Sequence, residues 1–300
     1  TTLTSVQLYD SFWGTLERMG GLWSFWHYFV YFMILTSIMR TRSDWFKLFK
    51  LMVIVGILSA LYGFGQKTDI GFFVGGGGRA RIFGTIGNTA LFAGYQLLIL
   101  FLSLTLFLKG DNTKNEKLFY GSGLVLTTIA VLMTVVRGSV MALGVGFILF
   151  FILHYAFFHS KQSKKIILIL AALFILFILF SLAFKNADFV KNSGYLARLT
   201  DLSLTSFTVQ TRFWAWQAGI DGWNDSAKSA ILGWGPENFN VPFSIHFNPK
   251  FYGGPGSETL FDRAHNMFIE ILVTMGILGL AAYLGLFLSA FSAIKKIIKK

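Results

Sequence analysis

The chain of 300 residues contains no cysteine, only four prolines, and charged side chains at 13% of its positions. Lack of cysteine excludes disulfides, thiolate catalysis, cysteine-ligated metals and iron–sulfur clusters, and it leaves the compartment open because there is no thiol to oxidise. The scarcity of charge, set against 54% hydrophobic and 17% aromatic residues, excludes an ordinary soluble domain. No Asp-x-Asp, His-Glu-x-x-His or other compact carboxylate/His cluster stands in the segments expected outside the apolar runs, so no catalytic metal and no cofactor is expected. The opening TTLTSVQLYD has neither an initiator Met nor a basic stretch leading into an apolar one, which fits a piece of something longer rather than a signal peptide.

What the chain does have is apolar runs. A helix needs roughly 20 such residues to cross about 30 Å of hydrocarbon. Seven spans are expected: Leu22–Met39, Leu48–Gly65, Ala90–Leu108, Leu118–Val136, Ser139–Phe158, Ile166–Phe184 and Met267–Ile294. The boundary at Leu48 requires Lys50 to snorkel to the interface. The expected fold class is therefore an all-α polytopic membrane protein with one long outer loop before the last span. Its divisions are a six-span bundle over 1–184 with short arginine-bearing outer loops, a large loop over 185–264 with an interfacial aromatic helix, and a last span with a basic tail over 265–300.

Lys and Arg collect at the cytoplasmic ends of spans. Four short basic segments qualify: Arg40 to Lys50, Lys109 to Lys117, Lys161 to Lys165, and Lys295 to Lys300. Strict alternation of seven spans puts all four on one side. They hold 14 basic residues against three acidic ones, which accounts for most of the formal net charge of +12. The charge is thus a topology signal, and nucleic acid is not an expected partner. The loop 185–264 falls on the extracytoplasmic side of a plasma membrane.

That loop holds all four prolines and four of the eight tryptophans, and ordered loops of such length carry function. In TRFWAWQAGIDGW, residues Arg212, Trp216, Ile220 and Trp223 share one helical face, which suits a helix lying among lipid headgroups with tryptophan anchors; an amphipathic helix that merely covers the bundle reads equally well. Gly233-Trp234-Gly235-Pro236 signals a turn.

Five outer features have chemical potential. Arg79 and Arg81 follow four glycines, where the backbone can approach phosphate and arginine can grip it; a flexible loop with solvated arginines reads equally well. Arg137, in a short turn before Ser139, runs against the positive-inside tendency and needs an anion, from a carboxylate or a ligand phosphate. Arg212 can pair with a nearby Asp or with a substrate. Asp262 is expected as N-cap of the last helix, with His265 in its first turn, where a neutral imidazole either accepts a proton or merely bonds the loop. Glu270, one turn deeper, is an expensive intramembrane carboxylate that pairs with Arg137 or acts in catalysis. His246 is a further polar candidate.

Separated outer arginines, a histidine at a helix entrance and an aromatic helix suit a lipid-linked pyrophosphate, with arginines on the leaving-group charge and histidine on an incoming hydroxyl. The order RIFGTIGN (Arg81–Asn88) before a span, Arg-Gly-Ser between spans, TRFWAW and GWGPENF in a long loop, then DRAHNMFIEILVTMGILGL, resembles the O-antigen ligase and polymerase superfamily, from about Phe12 to Leu280. FWGTLERMGGL also looks like a segment that precedes a span in many members. The resemblance implies a metal-independent membrane glycosyltransferase that moves a glycan from undecaprenyl pyrophosphate to a lipid, glycan or protein acceptor. It implies that Arg81, Arg137 and Arg212 contact the donor, that His265 activates the acceptor hydroxyl, and that Asn266 completes a His-Asn pair; from the residues themselves, Arg79 beside Arg81 is a further candidate for the pyrophosphate, and Asp262 and Glu270 are candidates for support of the site. Two departures stand out. Thr89 follows Asn88 where many members have Pro, and members generally carry more spans than seven. Ligation, polymerisation and protein glycosylation all occur in the superfamily, and membrane lipids surround every such reaction. Rivals are a peptidoglycan polymerase of the shape-and-division type and a transporter of lipid-linked glycans, the latter disfavoured by spans without proline.

Overall fold

The computed structural model describes residues 1–74, 81–159, 161–184, 186–200, 206–253 and 259–298. Among these residues every regular element is helical. In chain order the α-helices are α1 (Leu8–Trp13), α2 (Leu22–Ile38), α3 (Arg42–Gly65), α4 (Thr89–Phe107), α5 (Lys114–Met133), α6 (Arg137–Phe158), α7 (Lys161–Phe184), α8 (Asp188–Lys191), α9 (Gly194–Thr200), α10 (Phe207–Trp223), α11 (Ala227–Leu232), α12 (Asn240–Ile245) and α13 (Met267–Ile298). The chain is an all-α polytopic membrane protein. Helices α3 to α7 and α13 are long and apolar enough to cross a membrane. The expected span over 22–39 is α2, whose 17 residues reach about 26 Å at 1.5 Å per residue.

Helix starts lie outside the apolar runs because their caps sit in the polar flanks. Thr41 and Asp44 form a reciprocal capping box that opens α3 six residues ahead of Leu48, and Thr113 and Glu116 do the same for α5. Asn88 accepts from Ala90 N–H and Leu91 N–H to open α4. Thr89 is then the first helical residue, a position that also tolerates Pro, so its departure from the common pattern leaves the cap intact.

The chain forms two compact units, Met39–Leu202 and Thr1–Ile38 together with Ser203–Lys300. In the first, α4 is the inner helix, with 44% of its apolar stretch buried against protein, whereas α7 buries 6% of its own. Gly56 of α3 lets Ile99 of α4 approach closely, and Gln96 Nε2 donates to Gly56 O at 3.2 Å.

The second unit has its own aromatic core. Phe239, Phe243, Phe251 and Phe261 are buried, and the Phe243–Phe251 ring centroids stand 5.4 Å apart edge to face, a geometry that adds about 0.5–1.5 kcal/mol beyond area burial. Against this core α10 lays a stripe of small residues, Thr211, Ala215, Ala218, Gly219 and Gly222, at helical spacing. The face expected to lie among headgroups is the neighbouring one, and its indoles bond protein: Trp216 Nε1–H donates to Ala264 O at 2.7 Å and Trp223 Nε1–H to Ala230 O at 3.0 Å. Trp216 and Trp223 therefore pack as part of the fold.

The last span departs from expectation at both its start and its middle. Its N-cap is Asn266, whose Oδ1 accepts from Phe268 N–H at 3.1 Å, and Asp262 is instead bound to Arg18 at 2.7 Å. A guanidinium holds that carboxylate more strongly than a helix end four residues on, so His265 precedes the helix instead of lying in its first turn. The middle is broken at Gly276, where φ is +67°. An uninterrupted helix would offer the Val273 and Thr274 carbonyls to Ile277 and Leu278; here Trp234 N–H donates to Val273 O at 3.0 Å and Gly235 N–H to Thr274 O at 2.8 Å. A Cβ on Gly276 would strike the Ile231 backbone, and one on Gly233 the Thr274 backbone. The GWGP turn is thus docked main chain to main chain on the break.

Gly276→Ala should therefore lower stability by about 2 kcal/mol or more. Gly285→Ala, in the same helix with open space around it, should be neutral or stabilising by up to about 1 kcal/mol. Thermal unfolding of the two purified variants in one detergent checks the contrast, and equal shifts would contradict it.

Candidate functional site

In the unit formed by Thr1–Ile38 and Ser203–Lys300, the segment leading into α13 is held residue by residue. Asp262 bonds Arg18, and Arg263 donates to Glu237. Ala264 N–H donates to Glu270 Oε2 at 2.7 Å, and Ala264 O accepts from Trp216. His265 follows, exposed, at φ +50°, with its ring edge to face with Phe261 at 5.6 Å. Glu270, flagged as an intramembrane acid in search of a partner, is matched to a backbone N–H in its own unit.

The N-terminal segment, notable in the sequence only as FWGTLERMGGL, supplies the other half of this clamp. Glu237, with a side chain 5% exposed, accepts from Thr15 Oγ1–H at 2.6 Å and Thr15 N–H at 3.3 Å as well as from Arg263. Asn238 Nδ2 donates to Ser11 Oγ at 2.6 Å, and Val6 N–H donates to Trp234 O at 3.2 Å. Burial pushes the Asp262 carboxyl up, but the Arg18 hydrogen bond and charge outweigh it, and its pKa lies below the usual value; the same bond raises that of Arg18.

Arg212 lies in the first half of α10, exposed, and its side chain makes no hydrogen bond or ion pair among the described residues. Trp216, one turn further on, bonds the residue before His265, so one helix turn along α10 separates Arg212 from the residue that anchors the histidine's backbone. His246 is engaged elsewhere: its Nε2 lies 2.9 and 3.1 Å from the Asp225 carboxylate oxygens.

In the Met39–Leu202 unit, Arg81 and Arg137 share one region. Arg81 Nε–H donates to Thr134 O at 2.9 Å, three residues before Arg137, which is not in a turn but opens α6. Between them Val135 is buried at φ +55°, a strained conformation for a β-branched residue. The loop carrying Arg81 is closed by Gln66, a buried side chain whose Oε1 accepts from Phe83 and Gly84 N–H, both at 3.0 Å, and whose Nε2 donates to Val74 O at 3.0 Å. Arg79 lies outside the described residues.

The structure therefore groups His265, Asn266, Glu270 and Asp262 at one helix entrance with Arg212 a short way along α10, and Arg81 with the start of α6 in the other unit. Sequence reasoning passed over Thr15, Arg18, Glu237, Arg263 and Gln66. An isolated buried-type acid, Glu237, within GWGPENF was the one available signal. Among the described residues no three His, Asp or Glu side chains gather as a metal site. Chemically, the entrance presents an exposed imidazole on a backbone whose preceding residue is hydrogen-bonded at both its N–H and its carbonyl.

Residues 122–284, from within α5 to within α13, match the model of a family described as O-antigen ligase. None of the curated proteins and none of the solved structures matches the chain.

Glu237→Ala removes the shared acceptor of a nearly buried cluster and should lower stability by about 3 kcal/mol, whereas Arg18→Ala, at a pair about a third or more exposed, should lower it by less than about 1 kcal/mol. Thermal unfolding reads the order. Because the Asp262 pKa is lowered, the Arg18 pair contributes above the carboxyl's unfolded value and is lost as pH falls through the folded one. The difference between wild type and Arg18→Ala should fade only below about pH 4.

Proposed function

Because the chain belongs to the O-antigen ligase family, whose members are membrane glycosyltransferase-like ligases and polymerases, we propose that it transfers a glycan from undecaprenyl pyrophosphate to an acceptor hydroxyl. The reaction lies on the outer face of the plasma membrane, with the connection 185–264 extracytoplasmic. The observation that carries this reading is the single hydrogen bond from Trp216 to Ala264, which links the helix of Arg212 to the backbone of His265.

In the proposed reaction His265 takes the proton of the acceptor hydroxyl, whose oxygen attacks the anomeric carbon of the donor glycan. The bond from that carbon to the pyrophosphate oxygen breaks, and undecaprenyl pyrophosphate leaves with the electron pair. Arg212 stabilises the charge that develops on the leaving group. Arg81 and Arg137 are assigned to the pyrophosphate on the resemblance of their motifs, and Arg79 on its place after four glycines. The position of Arg137 supports the assignment, since the first turn of a 22-residue helix adds its own positive pole to the guanidinium. Asn266 supports the base by capping α13, Glu270 by accepting from Ala264 N–H, and Asp262 by anchoring the loop to Arg18. Charge stabilisation by arginine takes the place of a metal. The acceptor is a lipid, a glycan or a protein hydroxyl, which gives ligase, polymerase or protein-glycosylating outcomes.

The break at Gly276 raises the transporter alternative, because broken helices in transporters present freed carbonyls to substrate ions. Here the Val273 and Thr274 carbonyls accept from Trp234 and Gly235, which favours docking of the loop over coordination of cargo.

His265→Ala and Arg212→Ala should each reduce transfer from undecaprenyl-pyrophosphate-linked glycan by at least about 10²-fold while membrane insertion is unchanged. EDTA should leave the rate unaltered. Full activity of His265→Ala would remove it as the base, and inhibition by EDTA reversed by one divalent ion would overturn the metal-free reaction.

A further inference from the structure

His265 adopts φ +50°, a left-handed conformation that costs a residue with a Cβ about 1–2 kcal/mol and persists where surrounding contacts over-determine it. Those contacts fall on the two peptide groups of Ala264. Its N–H is held by Glu270 at 2.7 Å and its carbonyl by the Trp216 indole at 2.7 Å. The second bond is the more consequential, because the Ala264 carbonyl and the His265 nitrogen belong to one planar unit. The φ of His265 is a rotation relative to that plane, so at the observed φ of +50° the orientation of the plane sets the direction of the Cα–Cβ bond on which the imidazole is carried. Ala264 is fully buried; without the indole N–H its carbonyl would lose its partner where water does not replace it.

We propose that Trp216 is a positioning residue for His265, acting through the Ala264 carbonyl to aim the imidazole at the acceptor hydroxyl. This rests on the reading of His265 as the base. The aromatic ring itself packs on the core of the unit and meets Phe213 edge to face at 5.2 Å, so the ring serves the fold and the N–H serves the histidine. The two contributions are separable. Since Arg212 sits one turn away on the same helix, the one bond also ties the backbone that carries Arg212 to the backbone that carries His265, and misplacement of a catalytic group by about 1 Å can lower a rate about 100-fold.

The test replaces Trp216 with β-(3-benzothienyl)alanine, which keeps the bicyclic shape and puts sulfur in place of N–H, alongside Trp216→Phe and His265→Ala, all as the full chain in detergent with undecaprenyl-pyrophosphate-linked glycan as donor. The isostere should lower kcat about 10- to 100-fold with donor KM changed less than about two-fold, at an unfolding temperature close to wild type. Trp216→Phe should lower kcat at least as far. Wild-type kcat in the isostere, or a fall in kcat matched by loss of folded protein, overturns the positioning role. An inactive His265→Ala beside a fully active isostere sinks this inference alone, whereas an active His265→Ala sinks the reading on which it rests.

Discussion

A backbone carbonyl at the edge of a bilayer has little water to turn to, and an unmatched one costs several kcal/mol in hydrocarbon. The second unit is organised around that constraint. Along its first turns α13 would leave the Ala264 carbonyl exposed ahead of the helix and, because of the break at Gly276, the Val273 and Thr274 carbonyls exposed within it. The long connection answers all three, through the Trp216 indole and the main-chain N–H groups of Trp234 and Gly235. The result fastens α10 and the GWGP turn along the opening of α13 at both ends. Close main-chain approach at Gly233 and Gly276 makes the fastening possible.

Function is proposed where that fastening leaves strain. Among the described residues, non-glycine positive φ values fall on His265, on Glu237 in the clamp and on Val135 beside Arg137, besides Met19 and the helix cap His159. The clamp of Thr15, Arg18, Glu237, Asp262 and Arg263 holds the segment just ahead of His265 by ion pairs, so that the imidazole stands at the surface on a backbone with little freedom. Preorganisation of this kind is what general-base catalysis requires of its scaffold.

The membrane fold was legible in the sequence because apolar runs report locally on what surrounds them, and six of the runs are helices of spanning length. The family was legible because the Arg-Gly-Ser, TRFWAW and DRAHNMFIE segments, all within the matched residues 122–284, keep their order without any knowledge of contacts. The candidate site residues could be named by type alone, since His265, Arg212 and Glu270 are chemically conspicuous wherever they stand. What joins them was not. Trp216 and Ala264 are 48 residues apart, and Arg18 and Asp262 are 244 apart, so Asp262 looked like a helix cap when its partner lay in the N-terminal segment. The tryptophans suited lipid anchors as well as a cover for the bundle because composition cannot reveal that the indole N–H groups of Trp216, Trp223 and Trp234 meet protein carbonyls. Gly276 likewise looks like any helical glycine until the Ile231 backbone is placed beside it.

The central claim is that the entrance to α13 is a rigid, hydrogen-bonded element and not a loose loop with a histidine in it. Hydrogen exchange at the Ala264 amide tests this most directly, since that N–H is bound to Glu270 and buried. The account predicts protection comparable to the amides of α10, retained when substrate is absent. Exchange at the rate of an unstructured loop would contradict it.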